Sequence, residues 1–149
     1  MSLGGGGGGG QMQELAAQLE ELEEHQEAIE AEIQRLQTEK QEMNEAIEAI
    51  NDLESGATVQ VPLGGGAFVR AEVQDIDEIT VTLGADYAAE REQDGAVDTL
   101  ESKRGTLDDR IDELRSDAAE IESESEELEQ RIEQAQAQQM QQLQQQQNE

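Results

Sequence analysis

Residues 12–50, MQELAAQLEELEEHQEAIEAEIQRLQTEKQEMNEAIEAI, alternate steps of three and four between Met12, Leu15, Leu19, Leu22, Gln26, Ile29, Ile33, Leu36, Lys40, Met43, Ile47 and Ile50. Only Gln26 and Lys40 are polar. A repeat of this length is the seam of a coiled coil, because it turns one stripe of an α-helix toward a partner helix. Residues 97–135, VDTLESKRGTLDDRIDELRSDAAEIESESEELEQRIEQA, repeat the spacing through Val97, Leu100, Arg104, Leu107, Ile111, Leu114, Ala118, Ile121, Ser125, Leu128, Ile132 and Ala135. The stripes are equal in length. Folding the second back on the first sets Ile50 against Val97 and Met12 against Ala135, with Lys40 opposite Leu107 and Arg104 opposite Met43. Those two cations then form one polar girdle, a register device within an apolar seam.

Between the stripes the period changes from helical to alternating. Ser55-Gly56 reads as a helix stop, since glycine adopts the left-handed conformation of a C-terminal cap. Val59, Val61 and Leu63 alternate with Thr58, Gln60 and Pro62, and after Gly64-Gly65-Gly66 so do Val69, Ala71 and Val73 with Phe68, Arg70 and Glu72. That is a hairpin. Ile79, Val81 and Leu83, the turn at Gly84 and a return over Tyr87 to Glu90 predict a second, and Asp94 is the expected N-cap of the second helix. Isolated hairpins are marginal in water. Open edges and an uncovered face invite strand addition, so Val59, Val61, Phe68, Val69, Val73, Ile79, Val81 and Leu83 are the expected oligomerisation residues.

The expected fold is therefore mainly α with a small β insert, an antiparallel two-helix coiled coil joined by two β-hairpins. Its parts are a flexible Gly-rich leader (1–10), the N-terminal coiled-coil helix (11–54), the hairpins (57–90), the C-terminal coiled-coil helix (94–135) and a Gln-rich tail (136–149). In the tail the apolar spacing slips, with Met140 and Leu143 one place out of frame.

Composition narrows the function. One Phe, one Tyr and no Trp argue against a core of ordinary density and for an elongated chain. With 37 acidic against 9 basic side chains the net charge is −28, which disfavours nucleic acid and anionic membranes as partners. In molar salt the screening length falls to about 3 Å, so this acidity points to a salt-rich cytoplasm. There is no cysteine, which excludes disulfides and thiolate chemistry. No basic-then-apolar leader or run of 18 apolar residues occurs, so a soluble, unexported, cytoplasmic protein is expected. Gly4 to Gly10 and Gly64 to Gly66 lack the spacing of phosphate loops. Asp75, Asp77 and Glu78 lack the glycine and distant glutamate of a calcium loop, and His25 has no nucleophile or ligand set near it in the pattern. An enzyme, a metal site and a cofactor are not expected.

The stretches Val61-Pro62-Leu63-Gly64-Gly65-Gly66-Ala67-Phe68-Val69-Arg70 and Leu83-Gly84-Ala85-Asp86-Tyr87-Ala88-Ala89-Glu90, set between two long heptad segments, resemble the two hairpins of the alpha subunit of archaeal-type prefoldin. The resemblance covers nearly all of residues 11 to 140; Asp86 stands where the family often has Gly. It implies a hetero-hexamer of two alpha and four beta-type subunits in which the hairpins form a β-barrel platform and the coiled coils hang below it. It further implies ATP-independent holding of unfolded client proteins at the coiled-coil tips and their delivery to a group II chaperonin.

The seam suggests the same location for client contact. Ala118, Ser125 and Ala135 face Ile29, Leu22 and Met12 and leave them thinly covered, so Met12, Leu15, Leu19, Leu22, Leu128 and Ile132, with Met140 and Leu143, are the expected client-binding residues. A coiled-coil scaffold that spaces partners without binding clients is the alternative reading. Dilution from molar into millimolar KCl is expected to lower the helical circular dichroism as the carboxylates lose their screening; undiminished helicity there would contradict the halophilic reading.

Overall fold

A computed structural model of the chain describes residues 3–147. Met1, Ser2, Asn148 and Glu149, the outermost residues of the expected leader and tail, lie outside the described residues. The elements are α1 (Leu3–Asp52), β1 (Thr58–Gly64), β2 (Ala67–Glu72), β3 (Ile79–Gly84), β4 (Tyr87–Arg91) and α2 (Gln93–Gln147). The expected order of helix, two hairpins and helix is the observed one.

Both helices run further than the seam. The first opens at Leu3 rather than Gln11, through a run of glycines each of which costs about 1 kcal/mol relative to alanine in a helix. The second continues to Gln147, because glutamine is a good helix former even where no seam needs it.

The chain divides into two units. The helix-pair unit joins the α1 segment up to Arg35 with the α2 segment from Ile111 onward; the hairpin unit spans Leu36–Arg110. Every seam position named above is buried or half-buried. In the helix-pair unit the buried ones are Ile29, Ile111, Leu114, Ile121 and Leu128; in the hairpin unit they are Leu36, Ile47 and Ile50. The helices are antiparallel in the hairpin unit, where Lys40 Nζ lies 2.5 Å from Asp108 Oδ1 and Arg104 donates to Asn44 Oδ1 at 2.7 Å. Each cation of the girdle thus bonds the residue next to the seam position expected to face it, which lets its charge reach a polar partner at the margin of the seam.

Both hairpins turn in the same way. Val59 pairs Ala71 and Val61 pairs Val69 in the first; Thr80 pairs Glu90 and Val81 pairs Ala89 in the second. Each ladder shifts just before its turn, skipping Leu63 and Leu83. The turns, Gly65-Gly66 and Ala85-Asp86, have positive φ at both residues, the mark of a type I′ turn whose twist suits a two-residue hairpin. Asp86, at φ 65°, takes the family's glycine place because a short polar side chain tolerates the left-handed region.

Neither expected helix cap is used. Gly56, at φ 89°, is not the cap of α1, which ends at Asp52. It is the third residue of a turn closed by Ala57 N donating to Glu54 O at 3.1 Å, and it aims the chain into β1. Asp94 lies inside the first turn of α2, where its charge suits the positive end of the helix dipole. The caps come from elsewhere in the sequence. Gln93 Nε2 donates to Ile50 O at 2.7 Å and to Leu53 O at 3.2 Å, satisfying carbonyls at the end of α1. The backbone N–H of Gln93 in turn donates to Asp77 Oδ1 at 3.3 Å. Asp75 Oδ1 accepts from Asp77 N at 3.0 Å, and Ser55 Oγ accepts from Ile76 N at 3.0 Å, which fixes the loop between the hairpins. Beneath this junction Ile50, Val81 and Ala96 form a buried cluster with Ile79, Val97 and Leu100 around it.

Gln93→Ala removes both side-chain bonds to the end of α1 and is expected to destabilise the hairpin unit by about 1–3 kcal/mol. Urea unfolding in concentrated KCl checks it; an unchanged midpoint would mean that water caps α1 equally well.

Candidate functional site

Two apolar surfaces are candidates, one in each unit. In the hairpin unit, Val61, Leu63, Phe68, Val69, Leu83 and Tyr87 are all exposed, with Phe68 at 60% and Tyr87 at 74%. The hairpin ladders explain the arrangement. Val61 and Val69 are cross-strand partners on one face, Phe68 pairs Pro62 on the other, and Leu63 and Leu83 are the residues that the register shifts leave unpaired beside the turns.

Of the residues expected to oligomerise, Val61, Phe68, Val69 and Leu83 are on this open surface, and Val59, Val73 and Ile79 are half-buried. Val81 is different. It is buried against Ile50 and Ala96, so the face of the second hairpin expected to stand uncovered is packed on the helix junction of its own chain. Strand alternation puts Ile79 on the same side, and Ile79 packs against the cluster. Leu63 and Tyr87 belong to the exposed set and were missed by reading alternation alone; their place immediately beside the turn residues is the signal that marks them.

In the helix-pair unit Ile29 is the one buried seam position of α1 among the described residues. Ile33 on one side of it and Gln26, Leu22, Leu19, Leu15 and Met12 on the other are all half-buried. On α2, Leu128 is buried at 8% exposure and Ile132 is half-buried. Met140 and Leu143, out of the seam frame, are 64% and 54% exposed. Of the eight expected client residues, Leu22 and Leu128 come together in a cleft of about 540 Å³ that Gln18, Glu21, His25, Glu124, Glu127 and Arg131 also line. The cleft has an apolar floor and charged walls. His25, read from the sequence as a surface residue, is exposed on its rim. Next to Glu124 in the chain, the Ser125 hydroxyl is buried with no hydrogen-bond partner.

Neither surface has the parts of a catalytic centre. Among the described residues no group of three or more His, Cys, Asp or Glu side chains is placed to hold a metal ion. Asp75 and Asp77 accept the backbone hydrogen bonds described above instead. No described helix is long and apolar enough to cross a membrane.

Comparison with known proteins gives one answer. Residues 22–146 match the family model described as a prefoldin subunit. The prefoldin alpha subunit of Haloarcula marismortui is 60% identical over 116 residues, covering 78% of this chain and 75% of that protein. The alpha subunit of Halobacterium salinarum is 58% identical over 114 residues, covering 76% of this chain and 73% of its own length. Among solved structures, a chain of the filamentous PFD from Methanocaldococcus jannaschii, seen by cryo-electron microscopy, superposes with a TM-score of 0.64. Its sequence identity is 26%, over 78% of this chain and 96% of that one.

The orphaned hydroxyl makes the helix-pair unit less stable than its spacing requires. Ser125→Ala removes a buried donor and improves helix propensity, so a gain of about 1 kcal/mol is expected. A thermal melt of the variant in concentrated KCl should shift upward, and a downward shift would mean that the hydroxyl is hydrogen-bonded in solution.

Proposed function

Because the chain belongs to the prefoldin family, on its archaeal alpha-subunit branch, we propose that it is a non-catalytic chaperone subunit. It holds unfolded proteins without ATP and passes them to a group II chaperonin. Its hairpins join those of beta-type subunits, two alpha with four beta, and in that assembly the open two-stranded sheets close into a β-barrel platform. Val59, Val61, Phe68, Val69, Val73, Ile79 and Leu83 supply the apolar surface, with Val81 supporting them from the core. The acidic surface and the halophilic relatives support a cytoplasmic protein working in concentrated salt.

Clients are held at the coiled-coil tips, by Met12, Leu15, Leu19, Leu22, Leu128 and Ile132, with Met140 and Leu143 of the tail. The observation that carries this reading is that Met12, Leu15, Leu19 and Leu22 of α1 and Ile132 of α2 are only half-buried, while Met140 and Leu143 are exposed. Half-covered apolar side chains on a two-helix support can be offered to varied partners at little cost in structure, and methionine adapts to different shapes.

The test uses the purified subunit with its beta-type partner, a chemically denatured client and light scattering in molar KCl without nucleotide. Suppression of scattering is expected, and Leu15→Ser with Leu19→Ser and Leu22→Ser should weaken it several-fold while leaving the complex assembled. Full suppression by that variant would overturn the client site. No suppression by the unmodified complex would leave a coiled-coil scaffold as the function.

A further inference from the structure

The cleft of the helix-pair unit is built from one flank of each helix. Gln18, Glu21, Leu22 and His25 are spaced i, i+3, i+4 and i+7 on α1, and Glu124, Glu127, Leu128 and Arg131 repeat that spacing on α2. Each set therefore lies along one side of its helix over two turns. At 1.5 Å rise per residue the walls are about 10 Å long, the length of roughly three residues of extended chain. Leu22 and Leu128 form the floor, and the volume of about 540 Å³ is within the range of ligand pockets.

Charge is ordered along those walls. In the antiparallel register that sets Leu22 against Ser125, Glu21 stands level with the stretch between Glu124 and Glu127; Arg131 lies beyond them toward the N-terminus of α1, and His25 lies at the other end. Three carboxylates, drawn from both helices, thus stand over the two leucines. They are exposed, and among the described residues neither they nor Arg131 take part in an ion pair. An apolar floor beneath unpaired carboxylates is complementary to a side chain with an apolar stem and a cationic head, the build of lysine and arginine. In molar salt, where the screening length is about 3 Å, carboxylates elsewhere on the surface attract a distant cation only weakly. Those of the cleft act at contact, on a head group whose stem the floor holds in place.

We propose that this cleft is a subsite selective for lysine or arginine: an extended client segment lays the stem of a basic side chain on Leu22 and Leu128 and sets its head among Glu21, Glu124 and Glu127. The inference rests on the reading that clients are held by the helix pair. It names the class of segment held there, one in which basic residues are interspersed among apolar ones. Leu15 and Leu19, half-buried further along α1, are left for the apolar residues next to the basic one. The three glutamates then decide which segments are preferred.

The test uses the complex with the beta-type subunit in molar KCl and two fluorescent unfolded peptides of equal length. Both carry the same scattered leucines, with lysine between them in one and glutamine in the other. Fluorescence anisotropy should show the lysine peptide bound about fivefold more tightly, the worth of one exposed ion pair. Glu21→Gln with Glu124→Gln and Glu127→Gln keeps good helix formers at all three positions and should bring the lysine peptide down to the affinity of the glutamine peptide. Glu45→Gln with Glu48→Gln and Glu101→Gln removes the same charge from the hairpin unit and should keep the preference. Equal binding of the two peptides by the unmodified complex would overturn the proposal, even if a variant fails to fold. So would an undiminished preference in the cleft variant, or its loss in the hairpin-unit variant, which would mean that net charge and not the cleft selects. Failure of both peptides to bind would overturn the underlying reading that the helix pair holds clients.

Discussion

A helix that ends leaves its last carbonyls without partners, and a helix that begins leaves its first N–H groups likewise. This chain has to end α1 and begin α2 beside one another, with two hairpins emerging at the same place. Gln93 resolves the conflict by serving both ends: its side chain bonds the carbonyls of Ile50 in α1 and of Leu53 just beyond it, and its own N–H is satisfied by Asp77. Because Asp77 lies in the loop between the hairpins, that bond also fixes the loop to the helices. The apolar cluster of Ile50, Val81 and Ala96 lies under it, so the polar clamp and the packing hold the same three pieces together. Remove either and the second hairpin loses its support.

What could be read from the sequence follows from the range over which each interaction acts. The seam was legible because its period is local: Met12 to Ile50 and Val97 to Ala135 repeat within each helix, and the residues so marked are the buried or half-buried ones. The hairpins were legible for the same reason, with alternation and glycine turns. The caps were not. Ser55-Gly56 and Asp94 carry the right residue types at the right places, yet the bonds are made by Gln93 to residues 43 and 40 positions away and by Asp77 to one 16 away. No local pattern announces a side chain that caps another helix. The candidate site divides similarly. Alternation sets Phe68 and Val69 on opposite faces, but the exposure of both, and the burial of Val81, depend on which faces the rest of the chain covers, and that is a tertiary fact.

The charge of the chain is borne entirely at its surface. Among the described residues no charged side chain is buried, and the contacts that involve charge, such as Lys40 with Asp108 and Arg35 with Glu32, are at least partly exposed. Exposed pairs of this kind contribute about 0–1 kcal/mol each and cannot offset the repulsion among so many carboxylates. Stability must come from the apolar seam and the junction cluster, with dissolved salt removing the repulsion. A seam of narrow width and few aromatic groups is enough in that setting, and it leaves apolar side chains such as Leu15 and Leu19 only half covered without collapsing the unit.

The two hairpins differ in how much of their stability the chain supplies. A two-stranded hairpin alone is marginal in water. The second is held by Val81 in the junction cluster and by Lys103 bonded to Thr82. The first has no buried residue in either strand. Its links to the rest of the hairpin unit lie at its base, where Gly56 N donates to Val73 O at 2.7 Å and Val73 N returns the bond to Ala57. Its exposed Val61, Leu63, Phe68 and Val69 therefore gain most from burial by a neighbour, at roughly 25 cal/mol per Å² of apolar area covered. The second hairpin is thus supported from within the chain, whereas the first leaves its apolar side chains open on both faces.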